Sequence, residues 1–231
     1  MSKRHTFEQS GGEDPTLVFY APLTEGDFYD HISGIEMQSG TGTITWDSNK
    51  AAYHFLQASN NRGVVGYWDG LNLDIDIEHW GITMVAEYAA VNNGTDETKY
   101  RCVDIGGLQY PLYNTSGRCM VNPPLHLANY GTTTKEMHKL AIKWATSGQA
   151  YLFAQGYRSN EWKKPEEVYA SWTGLSSQCN IFKRDTNVSD DWIKTRVSIG
   201  RCQGSPQVTN IWVRNIRIYN RELTVSEIIS L

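Results

Sequence analysis

A chain of 231 residues, 40% hydrophobic and 20% charged, can bury a sizeable core, and all-β sandwiches of this length commonly form one unit. The formal net charge of -4, with no run of Lys or Arg longer than two, gives no electrostatic footprint for nucleic acid or an anionic membrane, so both are excluded as expected partners. The 12% aromatic content, including 8 Trp and 13 Tyr, is an excess that a core alone does not require.

Residues 1–15 mix charges with Ser-Gly-Gly and end at Pro15, the pattern of a flexible arm. They lack the apolar stretch of a secretory signal, and no later run approaches membrane-spanning length, so the expected setting is cytoplasmic. Thr16 to Leu23 is predicted as a strand ended by Pro22, with a loop behind it carrying Glu25, Asp27 and Asp30. Thr43–Trp46 and Ala51–Leu56 are two further strands about an Asp-Ser-Asn turn.

Leu71 to Ile77 alternates strictly, apolar on odd numbers and polar on even, which predicts a strand with one wet face. Trp80–Tyr88 reads as a longer strand, buried on at least one face by Ile82, Met84 and Ala86. Asn92-Asn-Gly is a hairpin turn, because Asn-Gly tolerates the positive φ of a two-residue reversal, and Arg101–Ile105 returns from it. Residues 106–134 are poorly patterned. His138–Trp144 and Ala150–Gly156 form a hairpin about Ser147-Gly148, and Arg196–Arg201 is a further strand.

From Ile211 to Tyr219 β-branched and aromatic residues interleave with Arg214, Asn215 and Arg217. Ile211 and Val213 have one parity and Ile216 and Ile218 the other. A bulge near Arg214-Asn215 is therefore required if all four are to reach one core. Thr224 and Glu227 have the spacing of a capping box opening a short helical turn. The expected core comprises Leu17, Phe19, Ile82, Met84, Leu140, Ile142, Trp144, Val197, Ile199, Ile216 and Ile218.

The run Ile216-Arg-Ile-Tyr-Asn-Arg-Glu-Leu223, followed by Thr224 and Glu227-Ile228, closely resembles the C-terminal signature of the concanavalin A-like, laminin G-like jelly-roll domains. The Pro22-Leu23 strand end, the 138–156 hairpin and Ile199-Gly200 are similar to elements of the same family. The resemblance implies an antiparallel two-sheet jelly-roll sandwich over residues 16–231, closed by a short C-terminal helical turn. It also implies a non-enzymatic recognition module, binding carbohydrate or a protein surface through loops at one rim. A laminin G-like module without a signal sequence suits a phage virion surface or attachment component, with the 1–15 arm as attachment segment and a homo-oligomer, such as a trimer, as its assembly.

Candidate chemistry is sparse. In an extended strand Asp74, Asp76 and Glu78 share a face at steps of about 7 Å. Retaining glycosidases of the related laminarinase-like family set two carboxylates about 5 Å apart on a jelly roll. A glycoside hydrolase using this row is the alternative to a binding module; a solvated strand face is the plain one. Asp185, Asn187, Asp190 and Asp191 place oxygens at near-alternate positions, and Asp27 and Asp30 form a second oxygen-rich loop. Both are candidate calcium sites, against the simpler reading of polar turns. Trp144 and Trp212 lie in apolar strands and are expected in the core, as Trp46 and Trp80 are. Trp68, Trp162, Trp172 and Trp192 stand beside Gly, Asn, Asp or Lys and are candidate platforms for sugar rings.

Cys102, Cys119, Cys179 and Cys202 contain no C-x-x-C pair, which argues against structural zinc and for reduced thiols. Cys102 and Cys119 are the two that one hairpin could bring face to face. The six His are scattered singly, and His54 in a strand is read as a packed residue.

Overall fold

The computed structural model describes residues 14–57, 64–75, 81–90, 100–105, 112–115, 118–121, 125–127, 137–144, 150–155, 162–163, 194–200 and 209–231. In chain order its strands are β1 (Leu17–Ala21), β2 (Gln38–Ser39), β3 (Thr43–Asp47), β4 (Ala52–Gln57), β5 (Gly66–Asp69), β6 (Ile82–Ala90) and β7 (Tyr100–Ile105). They continue with β8 (Leu112–Thr115), β9 (Arg118–Val121), β10 (Leu125–Leu127), β11 (His138–Trp144), β12 (Ala150–Gln155), β13 (Trp162–Lys163), β14 (Arg196–Ile199) and β15 (Thr209–Tyr219). One short helix, α1 (Val225–Ser230), follows.

These strands form two antiparallel sheets. The first runs β13-β12-β11-β6-β15-β4-β3, with β1 also paired to β15; the second runs β10-β9-β8-β7-β14-β5-β2. The expected all-β sandwich is the fold.

β15 organises the first sheet. On one side β6 accompanies almost its whole length; on the other, β4 pairs residues 209–213 and β1 pairs residues 216–219. The hand-over from β4 to β1 falls at the bulge the parity change demands. Asn215 has φ 57°, a left-handed conformation that Asn adopts at little cost, and the register to β6 shifts between Arg214 and Arg217. As a result Ile211, Val213, Ile216 and Ile218 are all fully buried in one core.

That core lies between the sheets. Phe19, Phe55, Ile82, Met84 and Tyr88 of the first sheet pack with Trp68, Val103, Ile105, Val197 and Ile199 of the second. Gly200 after β14 has φ +78°, and a Cβ there would stand 2.9 Å from the Thr209 side chain and from Val65, which accounts for glycine at the Ile-Gly position. The outer face of the first sheet has its own cover. Leu223 and Ile228 pack on Val85, Ala141 and Tyr219, each large apolar side chain contributing about 1.5–3 kcal/mol by leaving water. A helix of six residues would not persist alone; the Thr224–Glu227 capping box and this apolar seat hold it.

The structure corrects several expectations. Leu17 packs with the outer cluster rather than the core, because the β1 register shifts between Leu17 and Phe19. Trp212 is buried on the outer face, not between the sheets, since its parity is opposite to that of Ile211 and Val213. Leu71 to Ile75 keeps its alternating burial but is not a strand. Among the described residues its backbone bonds are Leu71 N–H to Thr195 O and Leu73 N–H to Lys194 O, before Asp74 turns to φ 44°. Cys102 and Cys119 stand on β7 and β9 with β8 between them, a separation of roughly 10 Å at two strand spacings, too far for a disulfide. The side chains of Leu140, Ile142 and Trp144, and the whole of Trp80 and of the Asn92–Asp96 turn, lie outside the described residues.

Candidate functional site

The loop from Thr24 to Met37, which joins β1 to β2, is held from beneath by the core. The Trp68 Nε1–H donates to Phe28 O at 2.9 Å, Gly26 N–H donates to the Tyr53 hydroxyl at 2.7 Å, and the Phe28 ring packs on Tyr53 with centroids 4.4 Å apart. Asp30 is fully buried and acts as the loop's organiser. Its Oδ1 accepts from the N–H groups of Tyr20 and Ile32, and its Oδ2 from the N–H and hydroxyl of Ser33. The His31 N–H donates to Tyr20 O at 2.7 Å. Asp30 and His31 thus cover the backbone of β1 that would otherwise be an open sheet edge.

This loop brings Asp27 and His31 to the outer face of the first sheet, beside Tyr20 of β1 and Arg217 of β15. Asp27 Oδ2 lies 2.7 Å from His31 Nε2, while its Oδ1 accepts from Tyr29 N–H. The His31 ring meets the Tyr20 ring edge-on at 5.6 Å. On the other side the Arg217 guanidinium stands 4.9 Å from the Tyr20 ring centroid, which follows from the Tyr20–Arg217 pairing across β1 and β15. Tyr20, His31, Asp27 and Arg217 are all half-buried. The result is a ring flanked by a cation and an imidazole–carboxylate pair, on a loop whose backbone is already ordered.

The residues singled out in the sequence fall differently. Trp68 offers no face for a sugar: it has no exposed surface, packs edge-on to Phe19 at 5.1 Å, and spends its N–H on Phe28. Sitting beside Asp69-Gly70 it looked like a loop residue, but it lies in β5, paired between β14 and β2, with its side chain on the core face. Asp27 and Asp30 do not fit a calcium site, because their oxygens are engaged by the loop's own N–H groups, Ser33 and His31. Among the described residues no group of three His, Cys, Asp or Glu side chains is placed to hold a metal ion. Asp74 is exposed at φ 44°, and its carboxylate faces the Asn220 amide at 3.5 Å. Asp76, Glu78, Trp172, Trp192, Asp185, Asn187, Asp190 and Asp191 lie outside the described residues, and of Trp162 only the backbone, in β13, lies within them.

Tyr20, His31 and Arg217 escaped the sequence reading. Arg217 between Ile216 and Ile218, and Tyr20 between Phe19 and Ala21, carried the signal of outward parity. That β1 and β15 are neighbours was not in it.

No family model and no curated protein matches the sequence. Solved structures do match in fold. The binding domain of botulinum neurotoxin DC, in complex with rat synaptotagmin II, aligns over 93% of this chain at 13% identity and a TM-score of 0.57. Trypanosoma rangeli sialidase aligns over 94% at 16% identity and a TM-score of 0.58. A botulinum neurotoxin type C structure, described by cell entry dependent on two ganglioside molecules, aligns over 93% at 13% identity and a TM-score of 0.57. This chain corresponds to 50% of each toxin chain and 32% of the sialidase chain, so the likeness is one of β-sandwich architecture.

Proposed function

We propose that this chain is a non-enzymatic recognition module that binds carbohydrate at the rim where the Thr24–Met37 loop meets the outer face of β1 and β15. The observation that carries the reading is the half-buried Tyr20 ring flanked by Arg217 and His31 on a pre-ordered loop. An aromatic ring suits the C–H face of a sugar, and neighbouring charged groups suit its hydroxyls. The solved neighbours support it by analogy: one is described by two gangliosides and another is a sialidase bound to sialic acid. The neighbour bound to synaptotagmin II makes a protein surface the competing ligand.

A glycan array run beside a partner pulldown tests the reading. Glycan binding that Tyr20→Ala abolishes without a loss of fold is the expected result; a specific protein partner with no glycan signal makes this a protein-binding module. Turnover of β-glucans abolished by Asp74→Asn or Glu78→Gln would make it a hydrolase instead. The proposal extends to a phage virion surface, on the sequence resemblance; mass spectrometry of purified particles and the oligomeric state by light scattering test that setting.

A further inference from the structure

The cations on the outer face of the first sheet are mostly occupied. Arg214 donates to Glu87 at 2.8 Å and also to Lys50 O, Lys143 stands 4.0 Å from Glu222, Lys139 donates to Leu231 O, and Arg221 is shared by Asp14 and Glu227. Arg217 differs. Among the described residues it has no carboxylate and no hydrogen-bond acceptor, only the Tyr20 ring, and a ring is no acceptor in kind for the five N–H donors of a guanidinium. Of the loop carboxylates, Asp27 is turned onto His31 and the Tyr29 N–H, and Asp30 onto the N–H groups of Tyr20, Ile32 and Ser33. Lys50 also lies over a ring, that of Trp212, but it is a flexible point charge beside a turn, whereas Arg217 stands on a strand whose phase is set by the Asn215 bulge.

We infer that Arg217 is the anchor for a carboxylate on the bound sugar, so that the module selects acidic glycans, those ending in a sialic or uronic acid, over neutral ones. The inference rests on the carbohydrate-binding reading above. A planar guanidinium meets a carboxylate with two parallel N–H···O bonds, while Tyr20 beside it takes the apolar face of the same ring. The chain's net charge of -4 gives no general attraction for anions, so a preference for them calls for a local cation such as Arg217.

The test uses the whole chain and two matched pairs of probes: sialyllactose beside lactose, and a glucuronate-terminated trisaccharide beside its carboxyl-reduced form. Titration calorimetry should show at least one acidic probe bound about 10-fold or more tightly than its neutral partner, as charge-assisted hydrogen bonds commonly give. Which pair responds distinguishes sialic from uronic acid. Arg217→Gln should bring acidic and neutral probes to the same affinity while the melting temperature stays near wild type, and Arg217→Lys should recover part of the preference. Equal binding of both members of each pair, or a preference that survives Arg217→Gln, overturns the inference and leaves the carbohydrate module standing. No binding to any probe or to any arrayed glycan overturns both.

Discussion

The outer face of β15 carries two clusters of similar composition on either side of its bulge, and only one of them is open. Before the bulge, Trp212 stacks on His54 with centroids 4.3 Å apart and 13° between planes, and Lys50 Nζ lies 4.9 Å from the indole. His54 is fixed by Asn210 at 2.7 Å, and Ala52, Ala89 and Met137 close the surroundings, so that Trp212 is only 7% exposed. After the bulge, Tyr20 has a cation and an imidazole near it but remains half-buried. Each cluster joins a ring, a histidine and a cation. Composition therefore does not separate structural from ligand-facing aromatics; the filling of the ring's faces does.

The largest expected effect comes from emptying the closed cluster. Trp212→Ala should lower unfolding free energy by about 3 kcal/mol in denaturant titration, with glycan affinity per folded molecule unchanged. An affinity loss would mean the two clusters act as one site. Next is the bulge between them. Asn215→Val sets a β-branched residue at φ 57° and removes the 2.8 Å bond to Glu87, so a loss of about 2 kcal/mol is expected, together with weaker glycan binding because Arg217 owes its outward phase to that bulge. A variant that lost stability alone would detach Arg217 from the bulge.

Acid should act at the divider and at the C-terminal clasp. Burial by itself would raise Glu87, but the hydrogen bonds from Asn215 and Arg214 and the Arg214 charge outweigh it and hold the carboxyl below its usual value. Arg221 and the Thr224 N–H and hydroxyl bring Glu227 down to about 2. Both folded values lie below the unfolded 4.5, so the stability they contribute is complete above that pH and is lost as pH falls through the folded values. The melting temperature should decline below about pH 4.5, and less steeply in Glu87→Gln. The smallest effect on stability belongs to the open cluster: Arg217→Gln should stay within about 0.5 kcal/mol of wild type by thermal melting. A larger loss would mark Arg217 as a structural residue.

Much of the fold was legible in local pattern. The parity change between Val213 and Ile216 demanded a bulge and Asn215 supplies it; the Thr224–Glu227 spacing demanded a capping box and both of its hydrogen bonds form. The candidate site was not legible in this way. Trp68 was read by its polar neighbours in sequence, yet it faces the other sheet from β5 and is buried in the core between them. Asp30 was a candidate calcium ligand beside the plainer reading of a polar turn, and its oxygens accept from backbone donors that only the folded loop presents.

Sequence alone determined which residues of a strand share a face and where β15 must bend, because side chains alternate with a period of two whatever lies beside them. Tertiary structure decided which strands are neighbours, and with that everything about the site. Tyr20 and Arg217 are nearly two hundred positions apart and meet only because β1 takes over from β4 at the bulge in β15. The alternation that faces each of them outward is local; the pairing that sets one over the other is a long-range contact between strands, and no local period encodes it.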